Sequence, residues 1–106
     1  MSRRMRKYRD ELDFICKCKP QLRQNIIKNA PNDLINTFTD IAQTVLYKQI
    51  DLTSQQRNRL RKLINPLKIL ASESKSVKSK KHLLSKNKGG NILKSIWGAI
   101  RDIFDF

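Results

Sequence analysis

The chain has 106 residues, with 23 Lys or Arg against 9 Asp or Glu, and its formal net charge is +14. This length suffices for one small domain, and no stretch approaches the roughly 18–20 consecutive apolar residues of a membrane-spanning helix. The surplus of positive charge exceeds what solubility requires and is typical of proteins that bind polyanions, although a solvated basic surface without a partner is the simpler alternative.

Residues 1–70 predict four helices. Helix one is expected over residues 5–17 and helix two over 20–29, where Pro20 suits the first helical turn. Pro31 opens helix three in the same way. The apolar residues of helix three recur at the spacing of a core-facing stripe, which comprises Leu34, Ile35, Phe38, Ile41, Ala42, Val45 and Leu46.

Helix four is predicted to begin at a capping box. Thr53 would accept a hydrogen bond from the Gln56 amide, and the Gln56 side chain would reach back to the amide of Thr53. Pro66 lies inside the apolar pattern of this helix and predicts a break near Asn65. No run alternates with period two for long enough to form a sheet, so the expected fold is all-α, a small four-helix domain. Dimerisation would help to stabilise so small a core.

Composition argues against catalysis and metal binding. His82 is the one histidine of the chain, and no second His, Cys or carboxylate accompanies it at acid–base or ligand spacing. Cys16 and Cys18 form a C-x-C pair without a second Cys/His pair, so a closed zinc site cannot be completed within one chain. We therefore expect a non-enzymatic protein without a metal or cofactor, whose free thiols suit a reducing compartment.

Composition also divides the chain into three parts. Residues 1–70, the basic helical domain, have a net charge of +9, and residues 71–90, a Lys/Ser-rich linker ending in Gly89-Gly90, have a net charge of +5. Val77, Leu83 and Leu84 give the linker a weak apolar stripe that allows a nascent helix, although the segment should be disordered or frayed when alone. Residues 91–106 have no net charge and predict an amphipathic helix.

The C-terminal helix has two interpretations. It either docks on the domain and completes the core, or it is a separate helix that binds capsid protein, another partner or a membrane interface. The apolar residues that would make either contact are Ile92, Leu93, Ile96, Trp97, Ile100, Ile103 and Phe104.

Three basic segments are candidates for contact with the phosphates of nucleic acid. They are helix four, a flexible N-terminal arm that could lie along phosphates or in a minor groove, and the lysines of the linker. Only Tyr8 adds an aromatic ring to these segments, which disfavours a single-strand reader and favours double-stranded DNA. The candidate residues are Arg3, Arg4, Arg6 and Lys7 in the arm, Arg57, Arg59, Arg61 and Lys62 in helix four, and Lys78, Lys80 and Lys81 in the linker.

The order of short motifs resembles that of the small basic proteins of adenovirus-like elements, the Polinton and adintovirus group. The motifs are residues 18–23 (CKPQLR), 26–30 (IIKNA) and 52–57 (LTSQQR), followed by the lysine linker, Gly89-Gly90 and the hydrophobic tail. The resemblance implies a component of the virion core or capsid interior that accompanies packaged DNA. It also implies that Gly89-Gly90 is a site for a maturation protease, although a double glycine is equally an ordinary hinge between helices.

The sequence therefore predicts an intracellular protein that binds nucleic acid largely through phosphates, in the host nucleus and the virion interior. Its amphipathic tail would engage capsid protein or membrane. Two alternatives stay open, namely a helix-turn-helix transcriptional regulator with helix four as its reading helix, and a membrane-active or scaffolding module.

Overall fold

A computed structural model describes residues 3–47, 52–85, 93 and 96–98 of the chain. Its helices are α1 (Arg3–Lys7), α2 (Arg9–Lys17), α3 (Pro20–Lys28), α4 (Asn32–Tyr47), α5 (Ser54–Lys62), α6 (Ile64–Ala71) and α7 (Val77–Ser85). Residues 93 and 96–98 are also helical, and none of the described residues lies in a strand. The predicted all-α class is therefore confirmed.

The first predicted helix is present but bent. Tyr8, with φ −102° and ψ 14°, separates α1 from α2. Backbone hydrogen bonds nevertheless run through the bend, from the Tyr8 amide to the Arg4 carbonyl and from the Leu12 amide to the Tyr8 carbonyl. Because α1 packs against α4 whereas α2 packs against α3, the bend lets each half meet a different neighbour.

The predicted break in helix four occurs at Leu63, two residues before the expected position. Leu63 ends α5 and precedes α6 with φ −107° and ψ 16°. This shift places Pro66 in the first turn of α6, where an amide hydrogen would have no intrahelical acceptor. An uninterrupted helix would instead drive the proline ring against the carbonyl of Lys62. The four predicted helices thus become six helical segments in the described part of residues 1–70.

Helix α4 lies at the centre of the core and packs against α1, α6 and α7. Its predicted stripe is confirmed, since five of the seven residues are buried and the other two, Val45 and Leu46, pack against the core while half-buried. The apolar face of α4, the longest helix, is thus the surface on which α1, α6 and α7 pack. The buried residues of the stripe are Leu34, Ile35, Phe38, Ile41 and Ala42.

Part of the predicted linker forms a helix in the folded chain. Residues 77–85 form α7, which packs against α3, α4 and α6. Leu84 is only 1% exposed, and Val77 and Leu83 pack beside it while half-buried. The Ser76 hydroxyl accepts a hydrogen bond from the Ser79 amide and caps the first turn. The weak apolar stripe suffices for a helix because the domain supplies a surface that covers it.

A separate C-terminal helix is not confirmed. Leu93, Ile96 and Trp97 are buried within the same hydrophobic core as α4. The Trp97 indole donates a hydrogen bond to the Asp13 carboxylate, and the Cys16 thiol donates to the Leu93 carbonyl at 3.6 Å. These three residues therefore follow the docking alternative. The other predicted partner-binding residues, Ile92, Ile100, Ile103 and Phe104, and the Gly89-Gly90 pair lie outside the described residues.

Arg23 closes the end of α2. Its guanidinium donates to the carbonyls of Ile15 at 2.9 Å, Cys16 at 3.3 Å and Cys18 at 3.0 Å. Those carbonyls belong to the last turn and cap of α2, where intrahelical donors run out. A positive charge at this end also complements the helix dipole. Arg23 is 6% exposed, so this cation serves the fold and is withdrawn from the surface.

We expect Arg23→Ala to lower the free energy of unfolding by about 2–3 kcal/mol, because it removes charge-assisted hydrogen bonds to buried carbonyls. Urea denaturation followed by circular dichroism measures the change. Arg23→Lys should recover only part of the loss, since an ammonium lacks the planar fork of donors. Arg59→Ala, which truncates an exposed arginine, should change stability by no more than about 0.5 kcal/mol. Equal stabilities for Arg23→Ala and Arg59→Ala would refute the capping role.

Candidate nucleic-acid interface

Helix α5 presents a dense set of cations to solvent. Arg57, Arg59, Arg61 and Lys62 are all exposed, and the helix contains no acidic residue. Leu60 is the buried residue of α5 and anchors the helix to the core. Arg57 and Arg61 are one turn apart, as are Arg59 and Lys62, so the charges form two pairs that lie on different sides of the helix. The structure thus brings these four predicted residues together on one element.

The predicted capping box fixes the start of α5. The Gln56 amide donates to the Thr53 hydroxyl at 3.1 Å, and the Thr53 amide donates to the Gln56 side-chain oxygen at 3.0 Å. Both reciprocal hydrogen bonds are therefore present, as the sequence predicted. They hold the first turn of a helix that has little buried surface of its own.

We expect Thr53→Ala to destabilise the protein by about 1 kcal/mol, the usual cost of losing an N-cap hydroxyl. Hydrogen exchange monitored by NMR should show the loss of protection concentrated in the first turn of α5. Thr53→Ser, which retains the hydroxyl, should keep most of the protection. A loss of the same size in Thr53→Ser would show that the hydroxyl is not the stabilising group.

The N-terminal basic segment is a tethered helix and differs from the expected flexible arm. Met5 is buried, and the Arg4 guanidinium lies 3.1 Å from a carboxylate oxygen of Asp40. The Lys7 ammonium lies 3.5 Å from the carboxylate of Asp33. Asp33 and Asp40 are two turns apart on α4 and hold α1 along it. Two predicted phosphate ligands are thus engaged in ion pairs, whereas the others, Arg3 and Arg6, are exposed.

The prediction that Lys80 contacts nucleic acid is wrong for this structure. Lys80 is 3% exposed, and its ammonium donates to the Thr39 hydroxyl at 2.7 Å. Burial lowers the pKa of Lys80, and the carboxylates of Glu73 and Asp40 oppose that shift. The error arises because composition does not distinguish a lysine on the core-facing side of α7 from its exposed neighbours. Of the other two predicted ligands in the linker, Lys78 is exposed and Lys81 is half-buried.

A cleft of about 570 Å³ lies between α3 and α7, and polar side chains that include further cations line it. The Lys81 ammonium donates to the Lys28 carbonyl at 3.3 Å and links the two walls. Lys28 was not among the predicted ligands, because only the packing of α7 on α3 places the two lysines together. The residues that line the cleft are Gln24, Asn25, Lys28, Lys78, Lys81, His82 and Ser85.

Acidic residues are segregated from both cationic surfaces. Helices α3, α5, α6 and α7 contain none. On α2 and α4, Asp13 accepts from Trp97, Asp33 contacts α1, and Asp40 pairs with Arg4, whereas Asp10 and Glu11 are exposed on α2. The positive field of α5 and of the cleft is therefore not cancelled within their own helices.

No family model matches the chain, and no curated protein or solved structure is significantly similar to it. The resemblance to proteins of adenovirus-like elements stays a prediction from short motifs. Within the described residues, none of the helices has the length and apolar character needed to cross a membrane. The same part of the chain holds no cluster of three or more His, Cys, Asp or Glu side chains that could bind a metal ion.

Proposed function

We propose that this protein is a non-enzymatic nucleic-acid-binding protein that engages duplex DNA through its phosphate backbone. The observation that carries the proposal is the set of four exposed cations on α5, a helix without acidic residues. A net charge of +14 adds a long-range attraction for any polyanion. Phosphate contacts of this kind fix a protein on the duplex without reading its sequence.

The arrangement on α5 suits phosphate contact. Each arginine can give two parallel hydrogen bonds to one phosphate, and Lys62 adds a point charge at the end of the helix. The capping box and Leu60 hold the backbone, so the long side chains alone adjust to the duplex. Each phosphate that the protein neutralises releases condensed counterions, which makes the affinity fall with salt.

The surface chemistry favours duplex over single-stranded nucleic acid. No Phe, Tyr or Trp lies in α5, and none of the described residues that line the cleft is aromatic. The exposed rings of Phe14 (54%) and Tyr47 (70%) lie on other helices. A reader of single strands needs rings on which successive bases stack. We therefore expect stronger binding to duplex than to single-stranded DNA of equal length.

A sequence-specific regulator is distinguished from this proposal by one comparison. Gln55 and Asn58 are exposed on α5 and have the donors and acceptors needed to read base edges. Affinities for several unrelated duplexes, measured by fluorescence anisotropy at one salt concentration, should agree within about threefold if phosphates dominate. One duplex preferred by about a thousandfold would instead support the helix-turn-helix alternative.

Packaging of DNA in the interior of a virus-like particle is the biological role that the motif resemblance suggests, and it stays a prediction, as do a nuclear location and a homodimer. Sequence-independent neutralisation of phosphates is the chemistry that such a role needs. Membrane or capsid binding by the tail is less well supported, because Leu93, Ile96 and Trp97 are covered by the core.

A further inference from the structure

We propose that the cleft between α3 and α7 is a second phosphate-binding site. The inference rests on the proposed function, since the phosphates would belong to the same nucleic acid that α5 contacts. The ligand class is defined by the cleft itself: consecutive phosphate groups, carried by a nucleic-acid backbone or by a free polyphosphate.

The side chains around the cleft include several hydrogen-bond donors, three of which carry positive charge. Lys28, Lys78 and Lys81 supply ammonium groups, and Gln24 and Asn25 supply amide donors. Among the described residues, no carboxylate lines the cleft. Such a set has no counter-charge of its own, so an anion is the ligand that satisfies it.

Both walls of the cleft are fixed to the core. Ile27 anchors α3, and Leu84 anchors α7, each with 0–1% of its surface exposed. Lys80, on the inner side of α7, adds its hydrogen bond to Thr39 of α4. The cleft is therefore preformed, and a ligand would have to order only the ends of the lysine side chains.

The size and lining of the cleft define what it selects. A volume of about 570 Å³ exceeds the space of one phosphate and lies in the range of small-molecule sites. In the part of the chain that the structure describes, no Phe, Tyr or Trp contributes to the walls, so these walls offer a base no stacking surface. Lysines act as point charges and impose little geometric preference. The cleft should thus recognise phosphates in succession and ignore the identity of the attached base.

The test compares two variants of the full chain that lose equal charge. Lys28→Gln with Lys78→Gln removes two exposed lysines of the cleft and leaves the bond from Lys81 to the Lys28 carbonyl intact. Lys17→Gln with Lys19→Gln removes two exposed lysines outside the cleft and α5. The first probe is inorganic triphosphate, whose binding is measured by NMR and calorimetry. The second probe is random-sequence duplex DNA, whose affinity is measured over a salt series. Circular dichroism confirms that both variants are folded.

We expect triphosphate to shift the amide signals of α3 and α7, and the cleft variant to bind it about tenfold more weakly, whereas the control changes less than about twofold. For DNA, the slope of log Kobs against log salt should be shallower by about 1.8 in the cleft variant than in the native protein, the value for two phosphate contacts. Equal losses in the two variants would overturn the cleft proposal while DNA binding by the native protein still upheld the proposed function. Triphosphate binding without DNA binding would overturn the proposed function and leave a site for free polyphosphate.

Discussion

Replacing the four cations of α5 with glutamine should weaken binding to duplex DNA about a thousandfold at about 0.15 M salt. Each phosphate contact contributes about 0.9 to the slope of log affinity against log salt, so four contacts together are worth about three decades at this concentration. The fold should survive, because Arg57, Arg59, Arg61 and Lys62 are all exposed. Fluorescence anisotropy with a duplex of about 30 base pairs, long enough for several phosphate contacts, measures the loss.

A matched variant separates the position of the charges from their number. Lys17, Lys19, Lys68 and Lys75 are four other exposed lysines, located in or between α2, α3, α6 and α7. Their replacement by glutamine lowers the net charge equally but spares α5, and we expect it to cost less than about tenfold in affinity, through the weakened long-range field alone. Equal losses in the two variants would mean that net charge, and not the set of cations on α5, determines binding.

The second large effect concerns the C-terminal residues. Trp97→Ala should lower the free energy of unfolding by about 3–5 kcal/mol, because it leaves a cavity where a large aromatic side chain fills the core. Trp97 is 4% exposed, and its indole N–H has a partner in Asp13 that would lose its donor. Urea denaturation followed by circular dichroism measures the change, since the remaining helices report on global unfolding.

Tyr47→Ala is the control for the loss of an aromatic ring. Tyr47 is 70% exposed at the end of α4, so its truncation should alter stability by about 0.5 kcal/mol or less. Docking of the C-terminal residues on the domain would be contradicted if Trp97→Ala had unchanged stability and the native chain caused anionic vesicles to leak. That result would instead support the membrane-active alternative, in which Trp97 lies in a lipid interface.

Local signals account for the parts of the fold that the sequence predicted correctly. Pro20 and Pro31 mark the starts of α3 and α4, and the reciprocal chemistry of Thr53 and Gln56 marks the start of α5. These features act within one turn of helix and depend little on tertiary contacts. The break before Pro66 follows from the same local sterics, although its position shifted to Leu63.

The parts that the sequence did not predict depend on contacts between distant residues. α7 is weakly amphipathic and forms because α3 and α4 cover Leu84. Lys80 is withdrawn from the surface by Thr39, which precedes it by 41 positions. Lys28 and Lys81 meet only when α3 and α7 pack together, so no spacing rule could have indicated the cleft. Composition identified the basic character of the surface but not which lysines belong to it.

The most direct test of phosphate-backbone binding is the affinity of the full chain for a random-sequence duplex over salt concentrations from about 0.05 to 0.5 M. If the four cations of α5 each contact a phosphate, the slope of log Kobs against log salt should be about −3.6 or steeper, and unrelated duplexes should give the same slope. A slope shallower than about −1, or no measurable binding at the lowest salt, would contradict phosphate-backbone binding.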